Sequence, residues 1–361
     1  MSDLLTKFDA WLASGGPAAL VIREHLMPVE GEDGVLFPPT FAAAEDKSKF
    51  AGGYNIDATS DGKNVCLIDS VGSQANRIEP LFAKEEYKTL VPQITIKAGS
   101  RIVSLLNAGH RAGDAIIRCT KLKQELQDAF KAVLKGNAEP LAKIAPTSLV
   151  FGVWDSRDTQ AKLPRLVSST IRAFDVQKLT RSAQYVPATE YINEELLEDT
   201  DDKKLRDAYA VRGFIHVPAS GAPGGVIATG GIRRDATLSL AALRLLSVGQ
   251  DKERTLKLRR YVLGLALTAF THSSTGYLRQ GCNLVPNPDK PSEFKIVLAN
   301  GTRNDEKLTH EEALKFAAAA ATAFGVGQSR EVDFDKEFAK TDIAGDEAAG
   351  DKPAKKPGKK K

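Results

Sequence analysis

A short apolar strand that runs directly into a two-faced helix is the feature that most restricts the fold of this chain. Residues 65–68 are apolar enough for a buried strand, and Asp69 or Ser70 is suited to cap the helix that follows. At about 100° per residue, Val71, Ala75 and Ile78 share one face of this helix. The apolar face predicts that the helix docks on a hydrophobic core.

A second face of the same helix carries side chains that the apolar face does not explain. Its residues are Ser70, Ser73, Gln74 and Arg77. Hydroxyls, an amide and one guanidinium beside a helix N-terminus suit a phosphate–sugar backbone better than a metal or an acyl group. A capped surface helix with solvated polar side chains is the alternative, and this segment alone does not decide between the two.

A second polar cluster begins after the apolar run that ends at Trp154. It repeats the same side-chain types in Ser156, Arg157, Lys162, Arg165 and Arg172. Between Trp154 and Arg181, six Lys or Arg residues face three Asp residues, so the segment is locally basic. Arg forms two-pronged contacts to phosphate and can stack on bases. The alternative is a surface loop with local Asp–Arg pairs.

A third basic run follows two glycines and includes Arg233 and Arg234, which we add to the candidate contacts for a nucleic-acid backbone. The preceding segment, residues 225–231, lacks the Lys-Ser/Thr of a nucleotide-binding P-loop and does not fit GxGxxG. We therefore do not predict a nucleotide site there. The basic stretch from Arg254 to Arg260 is typical of a solvated helix face.

The charge balance limits how basic the folded body can be. The 361 residues carry a formal net charge of +4, but the stretch from Gly345 onward contains six Lys against three acidic residues. The body before it is therefore close to neutral. Any nucleic-acid surface on the body must be a local stripe that acidic residues elsewhere balance, and the segment near 187–210 is the acidic candidate.

Several function classes lack their signatures in this sequence. Cys66, Cys119 and Cys282 are isolated, and neither CxxC nor zinc-spaced His/Cys pairs occur, so we expect no metal, disulfide framework or cofactor. Neither a membrane span nor a signal peptide is apparent, so we expect a cytoplasmic protein. The five His residues are scattered, and HExxH and GxSxG are missing. We expect no enzyme; the alternative is a metabolic enzyme that uses the His272–Ser274 loop.

Predicted strands and helices alternate with long irregular connections, which indicates an α+β or open α/β fold. We predict strands at residues 19–25 and 147–154, a helix at 121–134, and a helix that a capping box at Thr309 and Glu312 begins. The Gly-rich segment 220–225 is expected to be a turn between two short strands. Residues 1–343 are predicted to form one elaborated domain with an acidic, helical insertion near 187–210. Residues 344–361 are predicted to be a disordered Lys-rich tail.

The two polar segments resemble the backbone subunit of the CRISPR type I-G (formerly I-U) Cascade complex, a member of the RAMP superfamily. The resemblance rests on residues 67–79 (LIDSVGSQANRIE) and 151–157 (FGVWDSR), with shorter matches at 37–40, 162–166 and 171–173. It covers roughly residues 20–285. The SQANR core is its most specific part.

This resemblance implies a modified RRM-like (ferredoxin-like) palm with large insertions and a projecting thumb. Several copies would stack head to tail as a helical filament along CRISPR RNA, together with other Cascade subunits and target DNA. The matched positions that become RNA-contact candidates are Ser73, Gln74, Asn76, Arg77, Ser156, Arg157, Lys162, Arg165 and Arg172.

The function that this resemblance implies is a non-catalytic, RNA-binding ribonucleoprotein subunit in antiviral defence, which supports guide–target DNA pairing. The alternative within the same superfamily is an endoribonuclease acting on CRISPR or target RNA, for which Asp155 or Asp158 is the nearest acidic candidate. Head-to-tail stacking requires two different complementary surfaces, which we expect the basic stripes and the acidic insertion to supply.

Overall fold

The computed structural model describes residues 2–272 and 276–350 of the chain, and these form a mixed α+β fold. The helices are α1 (Ser2–Thr6), α2 (Asp9–Leu12), α3 (Val71–Ile78), α4 (Ala115–Arg118), α5 (Lys123–Leu134), α6 (Glu139–Ile144), α7 (Thr147–Phe151), α8 (Lys203–Arg212), α9 (Leu240–Leu243), α10 (Lys252–Thr271), α11 (His310–Phe324) and α12 (Lys336–Gly350).

The strands, in chain order, are β1 (Ala19–Pro28), β2 (Thr40–Phe41), β3 (Gly53–Tyr54), β4 (Ile56–Ala58), β5 (Asn64–Asp69), β6 (Ile94–Ala98), β7 (Arg101–Ser104), β8 (Val153–Trp154), β9 (Lys162–Leu163), β10 (Val167–Phe174), β11 (Val176–Tyr185), β12 (Val217–Ala228), β13 (Ile232–Ser239), β14 (Gly276–Arg279), β15 (Cys282–Pro286), β16 (Glu293–Val297), β17 (Arg303–Asp305) and β18 (Arg330–Asp333).

A large antiparallel sheet organises the molecule, with strand order β14-β15-β1-β13-β10-β5-β4. β1 pairs with β16 through residues 19–23 and with β15 through residues 26–28, so one edge of β1 serves two partners. β17 then pairs with β16. The predicted strand at 19–25 is confirmed as part of the sheet's centre.

The sheet separates a packed face from an open face, because burial alternates strictly along β13. Ala236 and Leu238 of β13 lie in the main hydrophobic core, whereas Arg233 and Asp235 are only partly buried on the other face. The core is therefore on one side of the sheet, where the helices pack.

Helices α10 and α11 form the centre of that core. Gly264 of α10 leaves no room for a side chain, because an added Cβ would lie 2.7 Å from the Cα of Ala317. The Ala-rich α11 allows this close approach. The predicted capping box is confirmed: Thr309 and Glu312 bond each other's backbone N–H groups at the start of α11.

Two local predictions were wrong. Residues 147–151 form helix α7 rather than a strand, because a short, fully buried apolar run fits either structure and only its packing decides. Residues 220–225 lie within strand β12 rather than in a turn. The long partner strand β11 bonds them, with register shifts at two places that accommodate the glycines.

β11 and β12 form a separate two-stranded sheet, which Val226 of β12 also joins to Leu36. We define residues 177–225 of this pair and its connection as the arm. Most of β11 beyond Val176 is exposed, and α8, between the two strands, contributes no buried residue. The acidic insertion lies within this arm, but helix α8 begins only at Lys203. Residues 187–202 form a turn at 191–195 and are otherwise irregular.

Helix α12 covers the first part of the predicted tail, and residues 351–361 lie outside the described residues. Its Asp342 forms an ion pair with Arg118, 3.0 Å apart, which attaches α12 to the body near α4. Within the described part of the chain, no helix has both the length and the apolar character needed to cross a membrane.

Candidate nucleic-acid interface

The polar face of α3 is directed at Asp69, the last residue of β5. The Asp69 carboxylate is 1% exposed. It accepts hydrogen bonds from Ser73 Oγ at 2.7 Å and Gln74 Nε2 at 2.6 Å. Two guanidiniums complete its surroundings, Arg77 Nε at 3.2 Å and Arg279 Nη2 at 3.0 Å. Asp69 is therefore the centre of a buried polar network that includes three of the RNA-contact candidates.

This network corrects the prediction for Gln74. Its side chain is fully buried, and its Oε1 accepts a hydrogen bond from Ser169 Oγ at 2.9 Å. Gln74 offers no exposed group to a nucleic acid, so its role is internal. Ser70 caps α3 by accepting from the backbone N–H of Ser73, which confirms that part of the prediction. Arg77 keeps 33% of its side chain exposed while it pairs with Asp69.

The fold brings the two polar clusters of the sequence together. Arg165 Nη1 donates to the carbonyl oxygen of Val71 at the start of α3, 3.3 Å away. Arg111 bridges the same elements: its Nη2 donates to Asn76 Oδ1 and its Nη1 to the carbonyl oxygen of Gly152, each at 3.3 Å. Residues that are about 90 positions apart in the sequence therefore share one surface.

The loop after β8 buries Asp155 and leaves most of its other polar side chains exposed. Asp155 is 4% exposed, and its carboxylate accepts from the backbone N–H groups of Asp158 and Thr159 and from the Thr159 hydroxyl. Ser156, Arg157 and Lys162 are exposed around it. We call the exposed RNA-contact candidates of α3 and of the segment after β8 the basic face. These residues are Asn76, Arg77, Ser156, Arg157, Lys162 and Arg165.

A buried ion pair supports the basic face from below. Glu79, 1% exposed, lies 2.6 Å from Arg111, which is 3% exposed. Burial raises the pKa of Glu79 to about 7, although Arg111 opposes the rise. The Oε1 atom of Glu79 has no hydrogen-bond partner among the described residues, which explains why the cost of burial dominates. Burial, followed by the charge of Arg111, lowers the pKa of Arg165.

The raised pKa of Glu79 predicts a pH-dependent stability. Because the folded pKa of about 7 lies above the ordinary value of 4.5, the folded chain holds more protons than the unfolded chain between these values. The free energy of unfolding should therefore decrease as pH rises through this window. Urea denaturation at about pH 5 and about pH 8 measures the free energy of unfolding at each pH. The decrease between these two pH values should be larger in the wild type than in Glu79→Gln by roughly 2 to 3 kcal/mol.

The exposed Glu85 provides the control for this experiment, because its carboxylate lies in solvent beside Lys88. Glu85→Gln should retain the pH dependence of the wild type. Equal pH dependence in the wild type and Glu79→Gln would show that Glu79 titrates at its ordinary value.

Three further candidates lie on the sheet rather than on the basic face. Arg172 and Arg233 are register partners on β10 and β13, and both are partly exposed on the open face. Arg233 pairs with Asp235 and lies over the ring of Phe174. Arg234 is 4% exposed and pairs with Glu24 at 2.7 Å. Its predicted RNA contact is therefore corrected to an internal ion pair.

The basic stretch on α10 serves the packing of the chain. Arg259 donates to the carbonyl oxygens of Leu246 and Arg244, Arg260 pairs with Asp9, and Arg254 pairs with Glu139. These guanidiniums connect α10 to neighbouring elements and form no separate stripe.

The His272 region contains a polar cluster. His310 lies 2.9 Å from Tyr87 Oη and 2.9 Å from Thr271 Oγ1, and the rings of His272 and His310 are 5.5 Å apart. Burial is the main cause that lowers the pKa of both His residues. Ser273 and Ser274 of the predicted loop lie outside the described residues. Among the described residues, no group of three or more His, Cys, Asp or Glu side chains is placed to hold a metal.

Sequence reasoning missed the residues that organise this site. The sequence predicts for Asp69 only a role as a helix cap, and no motif marks Arg111 or Arg279. Arg111 adopts a positive φ of 54° in the Gly-punctuated stretch after β7, which places its side chain under α3. The one available signal was the run of donors that follows Asp69 on one helix face, since buried carboxylates require such donors.

Comparison with known proteins finds a similarity to CRISPR-associated proteins. Residues 20–178, fewer than half of the chain, match the family described as CRISPR-associated protein GSU0053. The match includes α3 and the loop from β8 to β9, so both segments that carried the resemblance lie inside it. It confirms the predicted relation to CRISPR-associated proteins and supports a role in CRISPR defence. A search of curated proteins found no match to the chain.

Proposed function

We propose that the chain is a non-catalytic RNA-binding backbone subunit of a type I CRISPR effector (Cascade) complex. It polymerises along CRISPR RNA and supports pairing of the guide with target DNA. The observation that carries this proposal is the convergence of two segments of the CRISPR-associated region on one basic face. Exposed cations and amides on a fixed helix and loop suit a phosphate backbone, which carries no sequence information of its own.

The strand order supports an RRM-like palm. Strands β16, β1, β13 and β10 are neighbours in that order, and all three pairings are antiparallel. β1 reaches β10 through a crossover that contains α3 to α7, and β13 reaches β16 through α10. Two such crossovers around a four-stranded antiparallel sheet correspond to a ferredoxin-like arrangement. β5 and β4 extend it at one edge as part of the insertions.

The arm supports head-to-tail contact between copies. Residues 187–202 contain seven Asp or Glu side chains and no Lys or Arg, so this segment repels an RNA backbone. This acidic segment is complementary to a basic protein surface, and a second copy of the chain presents such a surface. Two different surfaces that bind each other generate an open filament rather than a closed pair. The arm is also the projecting element that corresponds to the expected thumb.

The endoribonuclease alternative has weaker support. Asp155 has its carboxylate engaged by three hydrogen bonds within its own loop, and Asp158 lies 3.9 Å from Lys123. Both carboxylates therefore have structural partners. Incubation of the purified chain with labelled CRISPR RNA should leave the RNA intact. Cleavage that Asp155→Ala abolishes without loss of binding would favour the alternative.

RNA binding by the purified chain tests the proposal. Anisotropy of a short labelled single-stranded RNA should report binding whose affinity falls linearly with salt on a log–log scale. Arg157→Ala should weaken binding for all sequences and flatten that slope by roughly 0.7, the value for one phosphate contact in single strands. Arg101→Ala, on the exposed strand β7, is the matched control and should bind as the wild type does. Affinity that is independent of salt would contradict the proposal.

A further inference from the structure

An exposed tryptophan lies beside Lys162 of the basic face. Trp154 is 56% exposed, whereas the chain's other tryptophan, Trp11, packs on Phe8 with ring centroids 4.5 Å apart. Trp is enriched at binding interfaces because its ring offers a large apolar face and its N–H group a polar one. The Lys162 ammonium lies 5.4 Å from the centre of the Trp154 ring. The cation and the ring therefore form one joint surface.

The backbone of Trp154 is held rigidly although its ring is exposed. Trp154 is the register partner of Lys162 in the β8–β9 pair, and the neighbouring Val153 and Leu163 are buried. Asp155, next in the chain, is the buried acceptor of the loop. Because folding already fixes the position of this residue, a ligand that stacks on the indole loses little additional backbone entropy.

We propose that Trp154 stacks on an unpaired base of the bound RNA while Lys162 contacts an adjoining phosphate; this inference rests on the proposed function. Aromatic rings combined with cations are the usual means of holding single strands, and stacking tolerates every base because each base has a π-face. A base inside a duplex has both faces occupied by its neighbours. Trp154 therefore favours single-stranded over double-stranded RNA at this position of the face.

The fluorescence of Trp154 provides a direct test. The variant Trp11→Phe leaves Trp154 as the only tryptophan. Titration with a short single-stranded RNA of mixed sequence should quench its emission, and the quenching should saturate together with the anisotropy of the labelled RNA. Trp154→Ala should weaken binding about 10-fold and Trp154→Phe about 2-fold. The exposed Leu245→Ala is the control and should leave affinity unchanged.

Three outcomes separate this inference from the proposed function. Quenching that follows binding, with the order of affinities wild type, Trp154→Phe and Trp154→Ala, supports the stacking role. An anisotropy change without quenching, together with unaltered affinity of Trp154→Ala, overturns the stacking role but leaves RNA binding in place. A wild-type chain that does not bind the RNA contradicts the proposed function, and this inference with it.

Discussion

Asp69→Ala should destabilise the chain by about 3 kcal/mol, the lower end of the range for breaking a buried charge network. The substitution removes the acceptor for Ser73, Gln74 and two guanidiniums at once. Arg279 is the residue most affected, because its Nη1 atom is already buried without a hydrogen-bond partner among the described residues. Gln74 is fully buried, so its amide N–H groups would also lose their acceptor without access to water. Urea denaturation followed by circular dichroism measures the loss.

Two further variants make the result specific. Asp69→Asn retains the shape and one acceptor oxygen but turns an amide N–H₂ towards a guanidinium, so its loss should be smaller than that of Asp69→Ala. Asp57→Ala removes an exposed carboxylate from the adjacent strand β4 and should leave the denaturation midpoint unchanged. If Asp69→Ala unfolded at the wild-type midpoint, the network would contribute nothing to the fold.

The triple variant Arg157→Gln, Lys162→Gln and Arg165→Gln should lose about 100-fold in RNA affinity at low salt, since each charge-assisted contact is worth about 1 kcal/mol or more. The log–log salt slope should fall by about 2, the value for three phosphate contacts to a single strand. These three side chains are exposed on the basic face. Anisotropy titrations at several salt concentrations give both numbers from one series.

A charge-matched triple variant separates the basic face from net charge. Arg101→Gln, Lys131→Gln and Lys315→Gln remove the same charge from β7, α5 and α11, where all three side chains are exposed. This variant should lose little affinity. Because Arg165 also bonds the backbone of α3, the thermal midpoint of the first triple variant must remain close to that of the wild type. Equal losses of RNA affinity in both triple variants would mean that binding depends only on the overall charge of the chain.

Local chemistry made several elements predictable. Ser70 caps α3, Thr309 and Glu312 form their capping box, and the predicted helix at 121–134 corresponds to α5. These features depend on residues within a few positions of each other, so sequence spacing contains the information. The mixed α+β class followed from the alternation of strands and helices.

The direction of α3's polar face could not be predicted in the same way. Its donors meet Asp69 on the same strand–helix unit, and the same carboxylate also accepts from Arg279, 210 residues further along the chain. Helical spacing shows that four polar side chains share a face, and it does not show whether that face meets solvent, RNA or a buried carboxylate. The burial of Gln74 shows that its side chain meets the buried carboxylate. Arg77 also pairs with Asp69, but it is partly exposed and can contact RNA as well.

The arm is a second feature that the sequence alone does not predict. Its strand β12 is long and rich in Gly, Pro and Ala, so neither hydrophobic alternation nor propensity predicts a strand across residues 220–225. Pairing with β11 supplies the hydrogen bonds that stabilise it. At Gly224 an added Cβ would lie 2.6 Å from the carbonyl carbon of Thr180, so the glycine allows this close pairing.

Recovery of the chain from cells that carry a CRISPR array tests the central claim most directly. The tagged wild-type chain should copurify at low salt with short RNAs of array sequence and with further copies of itself, and high salt should release the RNA. The triple variant on the basic face should recover much less RNA, whereas the charge-matched variant should recover wild-type amounts. A wild-type preparation that contains no array RNA and runs as a small discrete oligomer would contradict the account.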